Sequence, residues 1–340
     1  MRRWPAEWER HDATWISWPH HEPDWPGKFE PIPWVYAEIA RILSRHERVE
    51  ILCHDQGVKA SAMKHLEAHS VRDNVRINVV PTDRVWLRDS FPTLVENNGK
   101  PEQVSWRFNA WAKYDNFVLD AKLGAAASKL SGIPKVEPLR PSGRDRLVLE
   151  GGAIDTDGRG TLLTTEECLL SDVQARNPGL TRKQYEAVFE EWLGITKTIW
   201  LGEGCVGDDT HGHVDDIARF VAPGLVVLAY EEDPADENHR RSADNLRRLE
   251  KAGGLRVVKL PYPRAVIMDG QRLPASYANF YIANGVVIVP TFNDRNDRVA
   301  LATLAALMPD REVVGIHAVD LVWGLGTLHC LTQQQPAIPG

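Results

Sequence analysis

The sequence predicts an α/β fold in which about five units, each a hairpin running on into a helix, close into a ring. Three observations predict it. Apolar spacing alternates between the period of strands and the period of helices along the chain. A polar residue opens each hairpin pattern, at Asp89, Glu150, His213, Tyr277 and Cys330, in steps of 61, 63, 64 and 53 residues. No low-complexity linker divides the chain, so residues 1–340 are expected to form a single domain, although that length would also accommodate two.

Taken in order, residues 13–18 read as a buried strand closed by Pro19. Val35, Ile39, Ile42 and Leu43 then share one helical face, and residues 49–53 and 75–80 read as strands. Thr181 and Gln184 have capping-box spacing and start a helix whose core face is Tyr185, Val188, Phe189, Trp192 and Leu193; Gly194 ends it. Residues 236–252 form a polar helix anchored by Leu246 and Leu249, and residues 299–308 an apolar one. Between the helices lie the hairpins. Residues 88–99 give a polar pair, a strand and a turn, and residues 150–158 lead to a strand at 161–165. Residues 213–221 turn at Pro223 and Gly224 into 225–229, and residues 277–285 turn into 286–290. Turn chemistry alone also places Asp, Gly and Asn at hairpin starts, so the period is an expectation for the structure to test.

Composition narrows the function classes. The formal net charge is −7 and no run of five basic residues occurs, which argues against a nucleic-acid partner and suits a cationic small molecule. No apolar run reaches transmembrane length and the first residues lack a secretory signal, so a cytoplasmic protein without a membrane partner is expected. Cys53, Cys168, Cys205 and Cys330 are far apart with no C-x-x-C pair, which speaks for a reducing compartment and against a zinc ribbon or disulfide scaffold. A homo-oligomer is compatible with these numbers and not required by them. Several of the twelve tryptophans crowd the start of the chain, where large aromatics fill cores or wall a narrow pocket.

If the openings converge, they bring together the thiol of Cys330, the imidazole of His213 and the carboxylates of Asp89, Glu150 and Asp215. Cys330 follows Gly324 and Gly326, which let backbone approach a ligand closely, and precedes a run of amides. A cysteine in an apolar segment is equally an ordinary core residue. His213 and Asp215 stand two apart in what reads as a strand, so both are expected on one face as an acid/base pair. Three acids around a thiol are too many for a peptide or ester substrate, because buried anions hold a thiol protonated unless a cation pairs them. A guanidinium is such a cation, planar, permanently charged and able to be gripped by two carboxylates. Trp86, three residues before Asp89, would lie along an alkyl chain or pack in the core. Residues 208–216 also carry H-x-H among carboxylates, ligand types of hydrolase metal sites, but H-E-x-x-H is absent; neither a metal nor a cofactor is expected.

Together these segments resemble the agmatine deiminases, within the guanidine-modifying superfamily that includes peptidyl-arginine deiminases, arginine deiminases and amidinotransferases. The resemblance spans nearly the whole chain: P-A-E-W-E at 5–9, A-T-W-I-S-W-P at 13–19, W-L-R-D at 86–89, F-N-A-W at 108–111, E-G-G at 150–152, G-H-V-D at 212–215, S-Y-A-N-F at 276–280 and H-C-L-T-Q-Q at 329–334. It implies the pentein fold, a five-bladed α/β propeller of ββαβ repeats. It also implies Cys330 as nucleophile and His213 as general acid/base, with Asp89 and Asp215 holding the guanidinium, Glu150 orienting His213 and Trp86 along the substrate chain. The implied reaction is agmatine to N-carbamoylputrescine and ammonia, a step toward putrescine and polyamines. Two departures bear on substrate choice: Gly324-Leu-Gly-Thr327 stands where the family often has G-G-G-N, and Ala112-Lys-Tyr follows F-N-A-W where paired glycines are usual. The alternatives are another guanidino compound such as free or peptidyl arginine, amidino transfer to an amine, or a binding protein of the same fold, which would lack the cysteine and acids.

Overall fold

Five sheets of the chain share one connectivity. The computed structural model describes residues 1–141, 143 and 145–338. In each of the five, an antiparallel pair of strands is followed by a helix and by a third strand that returns parallel to the second. Strands Thr93–Asn97 and Lys100–Val104 pair antiparallel, helix Leu123–Ser131 follows, and Lys135–Val136 lies parallel to the second strand. The same order runs through Asp155–Thr156, Thr161–Thr165, helix Arg182–Leu193 and Lys197–Leu201. It recurs through Ala218–Ala222, Leu225–Tyr230, helix Glu237–Ala252 and Arg256–Pro261. A fourth copy comprises Tyr281–Ala283, Val286–Thr291, helix Asp297–Leu307 and Glu312–His317. The fifth joins the chain's two ends: Gln333–Pro336 pairs antiparallel with His11–Ser17, helix Ile32–Leu43 follows, and Arg48–Cys53 lies parallel to His11–Ser17. A further helix, Gln56–Ala68, and strand Val75–Val79 extend this last sheet.

Local chemistry explains the turns and caps. The first hairpin closes on Asn98 and Gly99 with φ of 51° and 78°, the left-handed pair that a two-residue hairpin loop requires and that Asn-Gly supplies. The Thr181 capping box is formed, with the Gln184 side chain accepting from the Thr181 backbone at 2.9 Å, and Gly194 ends that helix left-handed. Middle strands such as Val286–Thr291 are buried along almost their whole length, as strands covered on both faces must be.

Two helices lay outside the sequence expectations, Gln56–Ala68 and Leu123–Ser131. The first buries only Ala62 and Leu66, and the second only Leu123, Gly124 and Ala127, so neither presents an apolar stripe. Trp15, Trp18 and Trp25 are fully buried, whereas Trp34 is half exposed. Each buried indole removes ~150–250 Å² from water, roughly 4–6 kcal/mol of gross stabilisation. The largest apolar cluster contains Trp18, Trp25, Trp86, Trp111 and Cys330, so the candidate site grows directly out of the core. Among the described residues no helix is long and apolar enough to cross a membrane.

Candidate active site

The predicted residues sit on short helical turns that lead into the first strands of their sheets. Asp89 lies in the single turn Leu87–Ser90, Glu150 immediately precedes the turn Gly151–Ala153, and Cys330 lies in the turn Leu328–Leu331. His213 precedes the 3-10 turn Val214–Asp216, which carries Asp215. This corrects the expectation that His213 and Asp215 share a strand face. The strand begins only at Ala218, and the turn aims the two side chains at different partners. The His213 ring lies 3.8 Å from Asp89 through Nδ1 and 3.6 Å from Glu150 through Nε2. Asp215 instead accepts a hydrogen bond from His329 Nδ1 at 2.6 Å, and its Oδ2 lies 3.8 Å from the Cys330 sulfur.

The three acids are held differently: donors reach both oxygens of Asp89 and of Glu150 but only one of Asp215. Asp89 accepts from Trp111 Nε1 at 2.9 Å and from the Gly152 backbone at 3.0 Å. Glu150 accepts from Arg176 Nε at 3.2 and 3.3 Å, while the same guanidinium reaches the carbonyls of Gln174 and Thr210. Asp215 keeps Oδ1 buried and without a hydrogen-bond partner.

Burial and mutual charge set the protonation states. Burial pushes the Asp89 carboxyl up to about 6, against the pull of His213 and with the neighbouring Asp215 and Glu150 adding to it. Burial works in the same direction on Glu150 and Asp215, but Arg176 and His213 together outweigh it for the first, and His329 with His213 and Arg219 for the second, so both sit below the usual carboxylate range. His213 is raised well above the ordinary imidazole value because Asp89, with help from Cys168 and Glu150, overcomes the opposing effect of burial. The Cys330 thiol is pushed well up by burial first and then by Asp215, Asp216 and Asp89. Burial and the surrounding acids thus favour a protonated thiol beside a protonated imidazole, and a cation among those acids would weaken their hold on the thiol proton.

A cavity of about 200 Å³ opens onto Cys330 and is lined by Asp89, Trp86, Trp111, Leu325 and Gly326. Gly324 and Gly326 serve packing more than ligand approach. A Cβ on Gly324 would stand 2.7 Å from the Trp25 ring, and one on Gly326 2.8 Å from the Trp86 ring. Leu325 takes the left-handed conformation at φ 67° and lines the cavity, and Thr327 turns inward to donate to Asn279 at 2.7 Å. Asp24 also lines the cavity; it pairs with Arg84 at 2.9 Å through one oxygen and keeps the other buried without a hydrogen-bond partner. Burial pushes Asp24 up to about 6 despite Arg84.

Several residues of the site escaped the sequence reading. The fourth opening was placed at Tyr277, whose hydroxyl donates to Asp297 at 2.7 Å away from the site; the residue that reaches it is Asn279. Asn279 donates to the Cys330 sulfur at 3.1 Å and to Asp216 at 2.9 Å, and accepts from the His329 backbone at 3.0 Å. Its place two residues past Tyr277, just before a strand as Asp215 is, was the available signal. Asp208, weighed as a metal ligand with its neighbours, spends both oxygens on the backbones of Thr210, Gly212 and His213 and on the Thr210 hydroxyl, so it shapes the loop that presents His213. Cys168 lies with Glu150 and His213, their ligand atoms within 4.8 Å of one another, behind the imidazole.

Comparison with known proteins agrees with this geometry. The model of the Porphyromonas-type peptidyl-arginine deiminase family matches residues 3–336. The agmatine deiminase of Stutzerimonas stutzeri is 38% identical, covering 98% of this chain and 95% of the relative. That of Ectopseudomonas mendocina is 36% identical over 99% and 96%. A solved structure of C. jejuni agmatine deiminase with substrate bound superposes with a TM-score of 0.89 at 28% identity, covering 99% of this chain and 97% of that one. With this match over almost its whole length, the chain belongs to the Porphyromonas-type peptidyl-arginine deiminase family.

Proposed function

We propose that the protein hydrolyses the guanidinium of agmatine to N-carbamoylputrescine and ammonia through a covalent amidino-thioether on Cys330. The observation that supports it most is Asp215, whose Oδ2 lies 3.8 Å from the Cys330 sulfur and whose Oδ1 is buried without a hydrogen-bond partner among the described residues. Asp89 and Asp215 grip the guanidinium nitrogens, Glu150 orients His213, and Trp86 lies along the alkyl chain. As the cation binds, the thiol releases its proton to solvent and the thiolate attacks the guanidinium carbon. His213 gives its proton to the departing nitrogen, which leaves as ammonia. A water then attacks the amidino-thioether, losing one proton to His213, and as the adduct collapses the C–S bond breaks and its hydroxyl proton passes to the departing Cys330 sulfur, which restores the thiol and frees the neutral ureido product. Acid/base help of this kind typically contributes on the order of 10²–10⁴-fold.

The unpartnered oxygen of Asp24, a carboxylate in the lining of the cavity, suits the distal ammonium of agmatine. The repeated connectivity of the five sheets, the fifth made from the two chain ends, supports a single catalytic domain over residues 1–340 arranged as a five-bladed propeller. Four buried cysteines without disulfides suit a reducing cytoplasm. Incubating the purified protein with agmatine and, separately, with arginine while measuring ammonia and ureido product tests the function. Absence of product from every guanidino compound offered would overturn it.

A further inference from the structure

Behind Asp215 runs a row of buried charged groups that no step above uses. His329 Nδ1 contacts Asp215 at 2.6 Å, and the opposite nitrogen of the same ring contacts Glu7 at 2.8 Å. Glu7 comes from the far end of the chain and is held on its other side: Oε1 lies 2.8 Å from Arg219 Nη2 and accepts from the Ile282 backbone at 2.8 Å, and Oε2 lies 3.3 Å from Arg88 Nη2. Glu7, His329 and Asp215 are all buried. A neutral imidazole has only one N–H, so a ring facing a carboxylate at both nitrogens satisfies both only as the imidazolium. Charge points the same way. Asp215 and Glu7 are the row's two anions; Arg219 also serves Asp155 at 3.1 Å, and Arg88 also serves the Gln334 amide at 2.7 Å and the His329 carbonyl at 3.3 Å. The arginines thus reach Glu7 alone of the two anions by direct contact, and among the described residues His329 is the group in hydrogen-bond contact with both.

We propose that Glu7 and His329 act as a relay that fixes Asp215 as an ionised, oriented acceptor, so that a residue in the first turn of the chain sets how tightly the cationic head of the substrate is held. Glu7 holds His329 as a cation, the cation occupies Oδ2 of Asp215, and Oδ1 is left aimed at the ligand. Both are positioning residues, because neither touches the substrate. The inference rests on the guanidine-hydrolase reading of the site and adds to it a reason why the nucleophile has a histidine as its neighbour.

The test uses methylguanidinium as ligand and the Cys330→Ser background, so that binding is read without turnover and without assuming agmatine. Calorimetric affinity is compared for the background, with Glu7→Gln added, and with Asp155→Asn added; the last removes the second carboxylate of Arg219 and leaves His329 alone. The expected result is a loss of about tenfold or more in affinity for Glu7→Gln and less than twofold for Asp155→Asn. In otherwise native protein, Glu7→Gln should raise KM more than it lowers kcat and move the acid limb of kcat/KM to higher pH, since Asp215 ionises less readily without a facing cation. The groups facing Asp215 are His329 and Cys330 in contact and His213, Asp89, Asp216 and Arg219 at longer range, and those facing His329 are Glu7, Asp215 and Arg88 in contact and Asp155 at longer range. Should Glu7→Gln fail to fold, His329→Gln supplies the same comparison, with a neutral donor in place of the cation. Unchanged affinity and an unmoved acid limb in the variant that folds would overturn the proposal, as would equal losses in Glu7→Gln and Asp155→Asn. Failure of both variants to fold would show the row to be scaffolding and overturn it too. If the background binds no guanidinium at all, it is the reading of the site that falls.

Discussion

Replacing Gly326 by Ala perturbs the cavity wall by one methyl group. The added Cβ would stand 2.8 Å from the Trp86 ring and 3.1 Å from the Cβ of Cys330. Carbon contacts are comfortable at about 3.5–4.0 Å, so the ring must retreat by roughly 0.7 Å or more. Its open side is the cavity, and there it takes the space proposed for the substrate chain. A misplacement of about 1 Å near reacting groups costs on the order of 10²-fold, so kcat/KM for agmatine should fall by about 10–100-fold, or roughly 1.4–2.8 kcal/mol. Gly324→Ala, two residues away, is the contrast. Its Cβ would meet the Trp25 ring at 2.7 Å, and that indole is fully buried and tied to the Leu321 carbonyl at 2.9 Å. It has nowhere to go, and the cost should fall on stability, about 1–3 kcal/mol by overpacking. Urea unfolding and steady-state kinetics on both variants check the pair. If Gly326→Ala keeps the parent kcat/KM, or the two variants lose the same property, Trp86 is not the substrate wall.

Three further outcomes are expected. Cys330→Ser should abolish agmatine turnover while circular dichroism and the unfolding midpoint stay near the parent, and residual activity would refute the thiol mechanism. Asp89→Asn should be inactive yet more stable. The folded carboxyl titrates near 6 against an ordinary 3.8, so the stability of its neutral form is lost as pH rises through 6, and the variant's advantage should grow to on the order of 1–3 kcal/mol by pH 7.5 and be about half that at pH 5 in urea titrations. Asp24→Asn should raise KM for agmatine several-fold and leave KM for butylguanidine, which lacks the distal ammonium, nearly unchanged; equal effects on both would remove Asp24 from substrate recognition.

How far the sequence revealed the site depends on the residue. Asp89, Glu150, His213 and Cys330 were legible because each opens a hairpin, and the structure does bring them to neighbouring positions. Asp215 was named for the wrong geometric reason: a two-residue spacing reads as a strand, but a 3-10 turn places the same pair equally well. Asn279 was masked by Tyr277, whose larger side chain looked the more functional of the two. Glu7, Arg176 and Asp208 act through partners between 26 and 322 residues away or through backbone N–H groups, and periodicity carries no trace of such contacts. The two missed helices bury too few apolar side chains to print a pattern.

The pairing of Gln333–Pro336 with His11–Ser17 has a consequence for biosynthesis. The strand that completes this sheet is made after every other described strand, and the turn carrying Cys330 immediately precedes it. Domains acquire structure as they emerge, yet here three of the five sheets can form from contiguous segments, and a fourth adds only Arg2–Arg3 to one, while Cys330 still lacks the strand that anchors its turn. The Cys330 sulfur is therefore put in place by the same pairing that seals the sheet, and that pairing must wait until the strand after it has been made.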